Sequence, residues 1–208
     1  MLLTTIVFIP LLAFAQAVDT GVELRTTYAN LKSAEEQKDS EAVTKLAIES
    51  SRQARAVIKS AAPTDPAEVA SHKALVDFAK QVESYADYSL YVIALRAPDA
   101  EKRIELFEML ERQSPGSEYV PKLYSLYVGA LAETGQKAKI VPFAEKAIAK
   151  APNDEDLLAI LADSAMARKQ WDRAATFASR LTTVMSGHSR PEGLPAGDWD
   201  AGERGIAC

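Results

Sequence analysis

From Val18 to about Met185, apolar residues recur at spacings of three and four, the pattern of an amphipathic helix. Ala, Leu, Glu, Lys and Gln dominate the same stretch, and runs of β-branched residues bounded by turn signals are absent. A chain written this way buries its apolar stripes by packing helix on helix, so the expected class is all-α. Proline, glycine and capping residues divide it into about eight helices. The first runs from about Asp19 to Gln37 and the second from near Ser40 to a stop before Pro63. The third opens at Asp65-Pro66-Ala67-Glu68, where Asp65 can cap, Pro66 suits the first turn and Glu68 can reach back. It is expected to continue unbroken to Leu95, ending before Pro98. The remaining five cover about Asp99–Gln113, Ser117–Thr134, Lys137–Lys150, Asp154–Arg168 (with Asn153 as a plausible cap) and Gln170–Met185. Short turns make sequential helices antiparallel neighbours.

The third helix carries two apolar stripes. Leu75, Phe78, Val82, Tyr85 and Val92 form one; Val76, Ala79, Ala86, Leu90 and Ile93 form the other. Two stripes imply burial on two sides, as a central helix requires. A coiled-coil dimer is the competing reading for this segment.

Residues 2–14 are apolar and uncharged, too few to span a bilayer, which needs about 20. Ala13-Phe14-Ala15 follows the small-x-small pattern of a signal peptidase site, so residues 1–15 read as a signal peptide cleaved between Ala15 and Gln16. Cleavage after Ala17 is the second choice, and a buried N-terminal helix is the alternative to export. The expected location is periplasmic or secreted, with no stable membrane span once the signal is removed. Residues 186–208 are rich in glycine and proline and are expected to form a tail without helix.

A net charge of −5, with no basic stripe, argues against nucleic acid as a partner. The single cysteine, Cys208, forms no internal disulfide, and no cluster of residues has zinc-ligand spacing. The sequence contains no GxSxG, phosphate loop, HExxH or CxxC. His72 and His188 read as solvated side chains, and Asp154-Glu155-Asp156 reads as acids favoured by a helix N-terminus. No catalytic residue, metal site or cofactor is expected. An enzyme or small-molecule carrier would need convergent polar groups, for instance His72 near Asp77 and a tyrosine.

The last third repeats itself. Windows beginning at Pro121 and Glu155 align at an offset of 34, pairing Tyr124 with Leu158, Tyr127 with Leu161, Val128 with Ala162, Ala144 with Ala178 and Ala147 with Leu181. Trp171-Asp172-Arg173-Ala174 and Ala151-Pro152-Asn153-Asp154 add a helix start and a repeat boundary. These windows resemble the tetratricopeptide repeat family, and a looser unit at 84–117 resembles it less. The resemblance implies an α-solenoid of antiparallel helix pairs, with 16–117 as a degenerate N-terminal helical region and 118–185 as two repeats. It also implies that the first helix of each pair lines a concave groove for a peptide or helix. The groove residues carried over are Tyr85, Tyr88, Val92, Lys122, Leu126, Ile160 and Met166. Gly129 and Asp163 stand where a carboxylate clamp would need Asn, so such a clamp is not expected. The family usually ends in a polar capping helix, and none is visible after Met185. The expected function is a non-catalytic scaffold for a protein or peptide partner in the cell envelope or outside the cell. The competing reading is self-assembly as a homodimer through the uncapped last pair.

Overall fold

The computed structural model describes residues 11–188, with side chains from residue 21 onward. Every regular element among the described residues is helical. These are α1 (Leu11–Glu36), α2 (Ser40–Ile58), α3 (Pro66–Arg96), α4 (Ala100–Gln113), α5 (Tyr124–Glu133), α6 (Ile140–Ala147), α7 (Glu155–Ala167) and α8 (Trp171–Ser186). Single 3-10 turns at Pro121–Leu123 and Lys137–Lys139 lead into α5 and α6, so the fifth and sixth helices have tighter starts than expected. Consecutive helices pack on one another in a solenoid-like order. Most boundaries agree with the expected ones to within a few residues, but α5 begins at Tyr124, well after the expected start near Ser117, and α1 begins at Leu11 and is helical through Ala15-Gln16. The side chains around the expected cleavage point, and the tail from residue 189, lie outside the described residues.

Aspartate sets four of the helix starts. The side chains of Asp39, Asp65, Asp99 and Asp154 accept hydrogen bonds from the backbone N–H groups of Ala42, Ala67, Lys102 and Leu157, at 2.7–3.0 Å. Each satisfies a donor that the helix itself cannot. The cap of α7 is therefore Asp154, not Asn153. Asp154 is partly buried there, and burial raises its carboxyl above the usual range, against the hydrogen bond from Leu157. Glu68 makes no return bond, so Asp65 caps α3 without a capping box.

The chain divides into two compact units, Met1–Leu123 and Tyr124–Cys208. In the first, α3 is a single helix of 31 residues that packs on both α2 and α4. Its buried positions are Ala79, Val82, Ala86, Asp87, Ser89, Leu90 and Ala94. A core of Leu24, Ala54, Val57, Ala79 and Val82 joins α1, α2 and α3, with Tyr28, Ile58, Leu75, Val76 and Phe78 packed against it. Small residues at the crossings let the backbones approach. At Gly21, an added Cβ would lie 3.2 Å from the Leu75 side chain.

In the second unit, α5 with α6 and α7 with α8 form two helical pairs. Tyr124 and Tyr127 both pack edge-on against Phe143, with ring centroids 5.3 and 4.8 Å apart. Their repeat partners Leu158 and Leu161 are buried as well. The turns repeat bond for bond. After α5, Gly135 N–H donates to Ala132 and Gln136 N–H to Leu131; after α7, Lys169 N–H donates to Met166 and Gln170 N–H to Ala165. Each of these residues stands 34 positions from its counterpart. Gly135 and Lys169 both adopt a left-handed backbone, with φ of 74° and 59°. The turn after α1 closes by the same pair of bonds around Lys38, at φ 58°. This is the helix-ending motif that glycine serves best, because any Cβ is strained at that φ. Lys169→Gly is therefore expected to stabilise the protein by about 1 kcal/mol, read as a higher midpoint in urea unfolding. Ala167→Gly, at an exposed position inside α7, is expected to destabilise it.

A candidate binding face on the third helix

Tyr85, Tyr88 and Tyr91 follow one another at three-residue steps along α3, so their rings wind slowly around its surface. Ring centroids lie 6.5 Å apart for Tyr85–Tyr88 and 6.4 Å for Tyr88–Tyr91. Tyr119, from the segment after α4, completes the cluster, 5.7 Å from Tyr88 and 5.4 Å from Tyr91. Tyr88 is 45% exposed. The hydroxyls of Tyr88, Tyr91 and Tyr119 make no hydrogen bond among the described residues. Tyr85 differs. Its hydroxyl donates to Oε2 of Glu35 on α1, while Ser89 donates to Oε1 of the same carboxylate at 2.5 Å. Burial, together with the Glu35 carboxylate, raises the Tyr85 phenol well above its usual range. Tyr85 also meets Tyr28 edge-on at 5.3 Å, and Lys32 lies over both rings. Tyr85 is thus the anchored end of the row, and Tyr88, Tyr91 and Tyr119 are its open end.

An open groove of about 640 Å³ lies along the Tyr85–Tyr88 part of this row, lined by Lys80, Gln81, Ser84, Tyr85, Tyr88 and Tyr119. Lys80, Ser84 and Tyr119 also line a neighbouring polar cleft of about 470 Å³. The cleft explains why Tyr119 is where it is. Asp87, on α3, is 4% exposed and accepts a hydrogen bond from Ser114 Oγ at 2.9 Å. Ser114 in turn accepts from Arg55 Nη1 of α2 at 2.9 Å, and the same nitrogen donates to Ser51 at 2.8 Å. Arg55 also lies 3.8 Å from Glu83. This chain of polar contacts ties α2, α3 and the segment after α4 together. From Ser114 the backbone then closes two turns, Ser117 N–H to Ser114 and Val120 N–H to Ser117, which deliver Tyr119 to the α3 tyrosines. Lys122 stacks over the Tyr119 ring at 4.7 Å and pairs with Glu118 at 2.9 Å.

Of the groove residues read from the sequence, Tyr85, Tyr88, Val92 and Lys122 belong to the first unit and Leu126, Ile160 and Met166 to the second. The structure brings Tyr85 and Tyr88 into ring contact and places Lys122 beside them through Tyr119. Val92 and Leu126 are half-buried, as is Ile160, and Met166 is 52% exposed. The sequence reading missed Tyr91, Tyr119 and the whole Arg55–Ser114–Asp87 link. Tyr91 was legible from its step after Tyr88; the others come together only in the fold.

His72 does not meet Asp77. Its Nε2 lies 3.0 Å from Ser60 Oγ, and the same hydroxyl lies 2.6 Å from the Val57 carbonyl. Asp77 lies 3.8 Å from Lys80. Among the described residues, no group of three or more His, Cys, Asp or Glu side chains is placed to hold a metal ion. None of the described helices is long and apolar enough to cross a membrane.

Comparison with protein-family models, curated proteins and solved structures gave no match.

The buried aspartate carries a pH signature. Desolvation pushes the Asp87 carboxyl from 3.8 up to about 6, against the hydrogen bonds of Ser114 and Ser117, with Glu83 adding to the rise and Arg55 opposing it. A carboxyl raised on folding binds its proton more tightly in the native state. Its contribution to stability is therefore full below the unfolded value of 3.8 and is lost as pH rises through about 6. Asp87→Asn is expected to flatten the unfolding free energy across that window, measured by urea titration at several pH values. Ser114→Ala, which strips a buried acceptor of its donor, is expected to cost about 1–3 kcal/mol and to bring the loss of fluorescence coupling between Tyr119 and its neighbours.

Proposed function

We propose that this chain is a non-catalytic docking protein that binds a segment of another protein on the tyrosine face of α3. The observation that carries the reading is the open end of the row. Tyr88, Tyr91 and Tyr119 present ring surface to solvent with unpartnered hydroxyls, on a helix held firmly from both sides. Large, rigid rings with a polar tip supply contact area at low entropic cost, which is why tyrosine is enriched where proteins bind one another. Rigid helical support spares the site the cost of ordering itself on binding.

Kinship with the tetratricopeptide repeats is part of the same proposal. It is supported by the 34-residue offset at which the helix pairs, the buried apolar positions of α5 and α7 and the left-handed turn residues of the second unit recur, although buried Ala144 is matched by exposed Ala178. Export to the periplasm or beyond the cell is proposed from the apolar N-terminal run and the Ala13-Phe14-Ala15 site. Protein sequencing of the mature chain is expected to begin at Gln16; a chain that retains residues 1–15 after expression in its host would overturn export.

For the docking face, the test is capture of partners from host extract, followed by calorimetry of each purified partner against the wild type and Tyr88→Glu. A partner bound at least tenfold more weakly by the variant, with helicity unchanged, supports the reading. Partners bound equally by both refute it. Self-association is the second reading, favoured by one observation: Ala174 is the sole buried residue of α8 among the described residues, while Trp171 is 64% exposed. Sedimentation across a range of concentrations is expected to show a monomer if docking is the main role. A dimer abolished by Trp171→Glu would shift the weight to self-assembly.

A further inference from the structure

We infer that the tyrosine face takes an extended, proline-rich segment carrying an acidic residue, not an amphipathic helix; this rests on the docking role proposed above and names its ligand. The groove lining decides between the two. It is made of three tyrosines, a serine, a glutamine and a lysine, without a single aliphatic side chain. A docked amphipathic helix draws its affinity from aliphatic anchors set into an apolar floor, and its own carbonyls are already bonded within the helix. The ring faces give such anchors a flat floor and no aliphatic pocket, and the unpartnered tyrosine hydroxyls would find no acceptor on such a ligand.

A polyproline II segment is the complement on both counts. It has no internal hydrogen bonds, so every carbonyl is free to accept from a phenol. Its pyrrolidine rings are flat, apolar and stiff, and they stack on aromatic faces with little entropy left to lose. The lengths agree. Tyr85 and Tyr91 are six residues apart on a helix, about 9 Å along its axis, and one polyproline turn advances about 9.3 Å. Prolines one turn apart would rest on either side of Tyr88, with Tyr119 as the opposite wall and the Tyr88, Tyr91 and Tyr119 hydroxyls meeting the intervening carbonyls.

Charge sets the rest. Lys80 is the one charged side chain in the groove lining, and Lys32 and Lys122 sit over rings at the two ends of the row. Asp77, 3.8 Å away on the same helix, is exposed and holds Lys80 loosely, so a segment bearing a carboxylate beside its prolines competes for Lys80, whereas a basic one is repelled.

The experiment is selection of random short peptides displayed on phage against the full chain, counter-selected on Tyr88→Ser, whose exposed position spares the fold. Enrichment of prolines spaced by two residues with a neighbouring Asp or Glu, lost on the variant, is the expected result. Synthetic peptides of that pattern are then expected to bind about tenfold more weakly to Tyr88→Ser. Tyr119→Phe, which removes only a hydroxyl, is expected to weaken them by a smaller factor. Lys80→Glu should disfavour the acidic peptide and favour its lysine counterpart. Enrichment of proline-free peptides with apolar residues at helical spacing, still dependent on Tyr88, would overturn the ligand assignment while leaving the docking role standing. Enrichment indifferent to Tyr88, or none, would overturn both.

Discussion

Asp87 sits in the middle of α3, out of water, and the polar bonds around it decide how the first unit closes. Its position is tolerable because Ser114 donates to it and Arg55 backs Ser114, so that helix, helix and loop share one bonded chain. The arrangement does not fully offset desolvation, as the raised carboxyl pKa records. A leucine at residue 87 would be easier to bury, but it would hold nothing beyond α3. The polar link makes the segment after α4 choose one place. That choice is what sets Tyr119 against Tyr88 and Tyr91. The aromatic face is thus a product of a buried contact it does not itself touch.

The same dependence explains what could be read from the sequence and what could not. The length of α3 was legible because Pro66 and Pro98 bracket an unbroken pattern with no glycine between them. Its central position was legible from two stripes, and packing on α2 and α4 occupies both, which leaves a coiled-coil seam unneeded. The caps at Asp39, Asp65 and Asp99 follow local rules that act within four residues. At α7 the same rule picked Asn153 where Asp154 holds the bond, a one-residue slip between two good capping side chains. The Arg55–Ser114–Asp87 link had no such local signal. Its members lie 59 and 27 residues apart, and each has an ordinary solvent-facing reading on its own helix or loop. Tyr119 has no local signal either, standing between the looser unit at 84–117 and the window that begins at Pro121.

The groove carried over from the tetratricopeptide resemblance chose residues by position within a repeat, and it treated the two units alike. Physically they are not alike. Leu126, Ile160 and Met166 are aliphatic positions on α5 and α7, whereas the α3 positions carry phenols fixed by neighbours and backed by lysines. The 34-residue periodicity is strongest where the turns agree bond for bond, in the second unit. The features that suggest binding are concentrated where the repeat is least regular. Periodic sequence is good at specifying a stack of helices; it says little about chemistry placed on that stack by the segments between them.

The light cover over α8 has a consequence for how the second unit opens. Helix α8 rests on α7 through half-covered side chains such as Phe177, Leu181 and Val184, with Ala174 its one buried residue among those described. A helix so lightly covered gives up little apolar contact when it detaches. Its amides should therefore exchange with solvent through a local opening far cheaper than unfolding of α3, and a protease should find its first cut there. In a linear stack, each helix shields the one before it. The durability of the second unit is then governed at its edge, by a fraying that starts at α8 and works inward.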